Sequence, residues 1–493
     1  MPSVDGERDP FGIDVAEGRQ RLADFRRGLY ASLTMRRDAL FELCDAVLCR
    51  SGPVTSLPEL SLEPVHRRGW GSTYAALSAG RIDFQRLRMS LAGLALPRSS
   101  SGQIQLAVDV TPWPRPDAEC SPDRAHCHRP CRCDGVRQTT PGWPYSIVVA
   151  LESGRSSWTA PLDALRVGPN DDLTEVTAAQ LRDVVDRLRA AGQHGQGDPP
   201  ILIVMDAGYD VVRLAWLLRD LPVQLLARLR SDRVFYHPVD QSAAATGPGR
   251  PRRHGAAVKL SDRASWPVAQ AGWTGRHERY GAVAVTAFGR MHQRLTRRGG
   301  WGAHPGPLPI VEGSLVRIVV DRLPGDRAPK PVWLWHSHPH PADLDLARVF
   351  AAFCRRFDAE HTFRFFKQTL GWTKPQVRSP EQADRWTWLI IPSLASSRPL
   401  AKRSPTPPRR YGAWPRTATA DVNAAPPTSR LNGWKSCRTH DSACRASGPR
   451  PADRAAANPA RCDVRRHHLT GLRPSPTRHA IGGAGRRTAP VAG

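Results

Sequence analysis

Hydrophobic spacing divides the chain into stretches of different period. In "DFRRGLYASLTMRRDALFELCDAVLC", Phe25, Leu29, Leu33, Leu40 and Leu43 recur at roughly helical intervals. "STYAALSAGRIDFQRLRMSLAGL" continues the helical reading, with Ser72 or Thr73 as candidate N-cap. Near residue 103 the period changes. "IQLAVDV" reads as a short buried strand ending at Asp109, followed by the strands "YSIVVALE" and "SSWTAPLDALRV". "TEVTAAQLRDVVDRLRAA" is an amphipathic helix with Thr174 as candidate cap, and "PPILIVMDAGYD" is an apolar strand that stops at Asp206. The helix "VVRLAWLLRDL" then leads to the strand "VQLLARLR". Strands followed by an alternating helix and strand predict an α/β sheet with acidic side chains at two strand ends, where open α/β sheets place their ligands.

From about 231 to 340, "GRPRRHGAAVKLSD", "YGAVAVTAFGRMHQRLTRR", "SLVRIVVDRL" and "PVWLWHS" predict β-hairpins joined by Gly- and Pro-rich loops. The stretch 353–372, "FCRRFDAEHTFRFFKQTLGW", is helical and aligns Arg356, Glu360, Arg364 and Lys367 on one face. Beyond "WTWLII" the pattern stops abruptly, as a shifted reading frame would make it stop. The expected organisation is a helical N-terminal domain (1–100) that could lie against DNA and the first part of a catalytic core (101–230). A β-rich insertion (231–340), the rest of the core with the Glu-bearing helix (341–392) and a disordered Pro/Arg-rich tail (393–493) follow.

Charge sharpens this picture only in part. The 493 residues carry a formal net charge of +26, which points to a polyanionic partner, usually nucleic acid. The tail holds about 19 basic and about 4 acidic residues, so roughly +15 of the excess sits where no core can form. No run of about 18 apolar residues predicts a membrane span. The N-terminus lacks the charged-then-apolar plan of a signal peptide. A cytoplasmic, nucleoid-associated protein with reduced cysteines is expected.

Two acids at strand ends and a third on a late helix form the set that two-metal phosphoryl chemistry uses, and magnesium needs few carboxylates beyond water and phosphate. Alone, each Asp reads as a turn or cap residue; together their order is specific. Phe353, Arg356, Glu360 and Lys367 are spaced like the Tyr-Arg-Glu-Lys signature of insertion-sequence-four-type transposases, with Phe353 in place of the usual Tyr. Over about 100–390 the chain resembles these DDE transposases, which have a ribonuclease-H-like core. The resemblance implies a catalytic triad of Asp109, Asp206 and Glu360 holding two Mg2+ or Mn2+ ions, and DNA contacts from Arg356 and Lys367. It also implies cleavage of terminal inverted repeats, joining to target DNA, and a homodimer on paired ends. Arg364, Arg228, Arg230, Arg252 and Arg253 are further candidates for phosphate contact. A same-fold nuclease without strand transfer and a non-catalytic, decayed basic DNA-binding protein are the competing expectations.

"CSPDRAHCHRPCRC" gathers Cys120, Cys127, Cys131 and Cys133, but its spacing matches no paired zinc knuckle, and a variable loop is preferred to zinc. "WHSHPH" is read as a proline-bounded polar loop.

Overall fold

The N-terminal apolar period folds into α1 (Val15–Ser32), β1 (Leu33–Met35), α2 (Arg37–Cys49), α3 (Leu57–Leu60), α4 (Gly71–Ala79), β2 (Arg81–Ile82) and α5 (Phe84–Ala92). The second helical run is two helices. Gly80 ends α4, where a Cβ would meet the Ala76 carbonyl oxygen at 2.3 Å. Asp83 then starts α5 by accepting from the Arg86 N–H. Ser72 and Thr73 lie inside α4, whose N-cap is Trp70.

The computed structural model describes residues 15–129, 138–152, 154, 156–239, 252–324 and 328–401. The central elements are β3 (Gln105–Pro114), β4 (Ala125–Arg129), β5 (Gln138–Leu151), β6 (Thr159–Arg166), α6 (Leu173–Ala190), β7 (Ile201–Met205), α7 (Val211–Leu217) and β8 (Val223–Leu229). Strand β5 runs antiparallel to both β3 and β6. Strand β7 lies parallel between β3 and β8. The resulting order β6-β5-β3-β7-β8, with helices between the parallel strands, is consistent with a ribonuclease-H-like core. Asp172, not Thr174, caps α6: its carboxylate accepts from the Thr174 and Glu175 N–H groups.

The β-rich stretch comprises β9 (Val234–Tyr236), β10 (Ala257–Lys259), β11 (Ala271–His277), β12 (Gly281–Met291), β13 (Gly313–Val320) and β14 (Val332–His336). Strands β9 and β10 pair only with each other. Strands β11 to β14 do not stand apart as an insertion with its own sheet. Strand β14 pairs antiparallel with β8, from Trp333 opposite Leu229 to His336 opposite Leu226, and so extends the central sheet to 10 strands. Helices α8 (Leu346–Arg355), α9 (Phe357–Gln368) and α10 (Pro380–Ala401) close the described chain. Helix α10 runs past residue 392, and the tail from 402 to 493 lies outside the described residues. No described helix is long and apolar enough to cross a membrane.

Side chains on alternate strand positions feed two cores. Ala107, Leu202, Val204 and Leu226 belong to the core shared with α2, α8, α9 and α10, including Leu40, Phe350, Phe366 and Trp386. Leu106, Val108, Ile203, Met205 and Ala227 belong to the other, with Leu181 and Val185 of α6. The N-terminal helices therefore pack against the central sheet and the late helices rather than forming a separate module. Arg88 of α5 shows the same thing electrostatically. Its Nε donates to Asp163 Oδ1 of β6 at 2.8 Å, Arg187 of α6 holds the other oxygen at 3.0 Å, and the Arg88 guanidinium lies 5.0 Å from the Trp388 ring centre. Arg88 is thus a tie between layers.

Removing the shared acid should leave Arg88 without a carboxylate and Arg187 with only its longer pair to Asp183 at 3.6 Å. Asp163→Ala is expected to lower unfolding free energy by roughly 3–5 kcal/mol, read as the shift of a urea or thermal transition; a change under about 0.5 kcal/mol would show that the triad does not tie the layers together.

Candidate active site

Strand register sets two acids side by side. The parallel pairing of β3 with β7 runs from Gln105–Leu202 to Ala107–Val204, and two further residues along it bring Asp109 level with Asp206. Asp109 shares strand parity with Ala107, and Asp206 with Leu202 and Val204, so both carboxylates issue on the face that α9 covers. Strand β3 does not end at Asp109; it continues to Pro114 against β5. Asp206 follows the last residue of β7. The same register carries Arg228 of β8 next to Asp206, where its Nη1 lies 4.0 Å from Asp206 Oδ1.

Glu360 comes from the first turn of α9, where the helix dipole favours a carboxylate. The segment read as one helix is interrupted at Arg356, which ends α8 and precedes α9. Arg356 is buried. Its side chain is only 3% exposed, and its guanidinium reaches Asp109 Oδ2 at 3.5 Å and Glu360 Oε1 at 3.2 Å, with its charge 4.7 Å from the Phe357 ring centre. Phe353 is buried and packs edge-on to Phe357, so the ring that replaces the usual Tyr serves the core.

Burial pushes the Asp109 carboxyl up to about 6; Arg356 and the Val110 N–H work against this, while the charges of Asp206 and Glu360 add to it. The three acids are therefore electrostatic neighbours. Tyr209, which sequence reasoning missed, is buried beside them: burial, then the charges of Asp109 and Asp206, raises its phenol well above the ordinary range. Its place three residues after Asp206 was the available signal.

Asp206 Oδ1 is buried and accepts no hydrogen bond from any described residue. An all-carboxylate donor set with such an oxygen fits a hard divalent cation. The described side chains do not form a closed cage, since no three His, Cys, Asp or Glu groups among them converge to metal-ligating range. Arg356 lies between two of the acids instead.

The other candidates disperse. Arg364 is exposed on α9. Lys367 is half-buried, 5.7 Å from the Trp372 ring centre, and burial pushes its amine down to about 8. Arg230 pairs with Asp232 at 3.5 Å. Arg252 is exposed, and Arg253 lines a separate cleft with His254 and Arg297 that includes none of the acids. Cys120 is exposed, Cys127 is buried with its thiol pushed up to about 11, and Cys131 and Cys133 lie outside the described residues. His336 is not in a loop: it ends β14, buried opposite Leu226, and accepts from the His338 N–H of the polar turn that follows.

A family model described as DDE superfamily endonuclease matches residues 28–292. The match spans Asp109 and Asp206 and ends before Glu360. No curated protein matches the chain.

A carboxyl raised in the folded state binds its proton more tightly there than in the unfolded chain, whose aspartates titrate near ~4. Stability from Asp109 is therefore complete below about pH 4 and is lost as pH rises through about 6. Relative to Asp109→Asn, the metal-free protein should lose on the order of 2 kcal/mol between pH 4 and 7, measured by urea unfolding at each pH. An unchanged difference across that range would contradict the burial assigned to Asp109.

Proposed function

The chain belongs to the DDE superfamily of endonucleases, and from that premise we propose that it is a DNA transposase of the insertion-sequence-four-like group, cutting element ends and transferring the freed strand. The family acts on DNA and typically uses divalent metal ions. The observation that carries the finer reading is the placement of Asp109 level with Asp206 by strand register, with Arg356 bridging Asp109 to Glu360, on one face of a ribonuclease-H-like sheet.

In this reading Asp109, Asp206 and Glu360 hold two divalent ions, Mg2+ or Mn2+. Bound there, the ions supply charge stabilisation at the attacking and leaving oxygens of an in-line phosphoryl transfer. The protein's own groups do the rest. Arg356, held between Asp109 and Glu360, and Arg228, beside Asp206, offset acidic charge that would repel a phosphodiester. Lys367, with its depressed amine, and exposed Arg364 extend the cationic face along α9. Buried Tyr209 limits water on the sheet side. In the first step water displaces the 3′-oxygen at phosphorus, leaving a 3′-hydroxyl and a 5′-phosphate. In the second, that 3′-hydroxyl displaces another 3′-oxygen in target DNA, so one P–O bond forms as one breaks. A homodimer on paired inverted repeats would bring two such sites to two ends.

Asp109→Ala, Asp206→Ala and Glu360→Ala should each lower Mg2+-dependent cleavage of terminal-repeat DNA by roughly 100-fold or more, assayed below the unfolding transition of each variant, because Asp109→Ala and Glu360→Ala also take a partner from Arg356. Parent-like cleavage by any one removes that residue from the triad. Pre-cut ends supplied with a target plasmid separate the two activities: a covalently joined product supports the transposase, and cleavage without joining leaves a nuclease of the same fold.

A further inference from the structure

A second cationic feature lies on the sheet face opposite the acids. After β8 the chain crosses that face: Phe235 of β9 and Val258 of β10 sit in the core that holds Leu106, Val108 and Met205. The end of β12 is drawn to the same place. Its pairing with β13 shifts between Phe288 and Met291, Arg290 takes a left-handed φ of 55°, and His292 then bridges to Tyr236. Such bulges re-aim a strand end. The loop that leaves it carries Arg294, Arg297 and Arg298, all exposed.

Between this loop and Arg253 is a cleft of about 390 Å³ lined by Arg253, His254, Leu295, Arg297 and Pro307–Pro309, with no carboxylate in its wall. The guanidiniums are held in place by loop carbonyls. Arg253 Nη2 donates to Leu308 O at 2.7 Å, and Arg297 Nη1 to His304 O at 2.8 Å. Behind them His254 Nδ1 meets His292 Nε2 at 2.9 Å, and His292 is fully buried, with its imidazole pushed down to about 4, first by burial. The neighbouring acid, Glu312, is taken by Arg290 at 3.0 Å. None of Arg253, Arg294, Arg297 and Arg298 has a carboxylate within ion-pair range among the described residues. Their field already disfavours a proton on His254, whose pKa is lowered by burial and then by Arg294 and Arg253. Two pre-ordered guanidiniums in the cleft wall, with exposed Arg294 and Arg298 on the loop beside it, match a row of backbone phosphates rather than a small neutral ligand.

We propose that this cleft and its arginines bind the phosphate backbone of duplex DNA away from the bond that is cut, holding a second stretch of DNA on the face opposite Asp109, Asp206 and Glu360. The proposal rests on DNA as the substrate and is independent of the triad's assignment. The test uses the full chain and a random-sequence duplex, without divalent metal, titrated by fluorescence anisotropy across NaCl concentration. A variant with Arg294→Ser, Arg297→Ser and Arg298→Ser is compared with a control of equal charge, Arg21→Ser, Arg27→Ser and Arg348→Ser, whose arginines are paired with Glu17, Asp24 and Asp345. The cleft variant should reduce the slope of log K against log[NaCl] by about 2–3, and the control should leave it near the parent value. Arg253→Ser alone should weaken binding in the same direction. Equal slopes for cleft variant and control, or a parent-like slope in the cleft variant, overturn the proposal. Cleavage assays report separately on the triad, so loss of one reading leaves the other standing.

Discussion

A guanidinium that is 3% exposed must be neutralised where it lies, and Arg356 takes its counter-charge from Asp109 on β3 and Glu360 on α9. That single group ties the sheet to the late helices at the point where the acids gather. It sits at the break between α8 and α9, where Phe353, Phe363 and Phe366 remain in the core. The same contact offsets repulsion among three acids, one of which burial already holds near a pKa of about 6.

The convergence is prepared by strand geometry. Parallel β3, β7 and β8 bring residues 109, 206 and 228 into line at one edge of the parallel pairing, and period-two alternation sends all three side chains to one face. The opposite face carries the second core and the cationic cleft. One sheet therefore carries the acids on one face and the arginine-lined cleft on the other. The extension from β8 through β14 links the two, because it continues the same hydrogen-bonded ladder.

Much of this was legible in residue order because the apolar runs before Asp109 and Asp206 are long enough to be strands and stop at a charge. What escaped the sequence depends on tertiary competition. Thr174 has the chemistry of a cap, but Asp172 lies two residues upstream with a stronger acceptor and takes the position. Nothing local marks the helix break at Arg356, since every residue from Phe353 to Gln368 tolerates a helix. Arg88 reads as a surface cation until Asp163 is seen buried beneath it. The merging of the β-rich stretch into the core sheet was invisible because strand pairing between β14 and β8 is set by partners about a hundred residues apart. Glu360 was legible only through its spacing from Phe353, Arg356 and Lys367.

The central claim is that Asp109, Asp206 and Glu360 share divalent ions. Anomalous diffraction from crystals of the full chain soaked in Mn2+ with a DNA end tests it directly. The account expects manganese peaks within about 2.0–2.3 Å of carboxylate oxygens from all three residues, with Arg356 turned from Asp109 toward phosphate. Manganese bound elsewhere, with Arg356 still seated between Asp109 and Glu360 in the DNA complex, would contradict it.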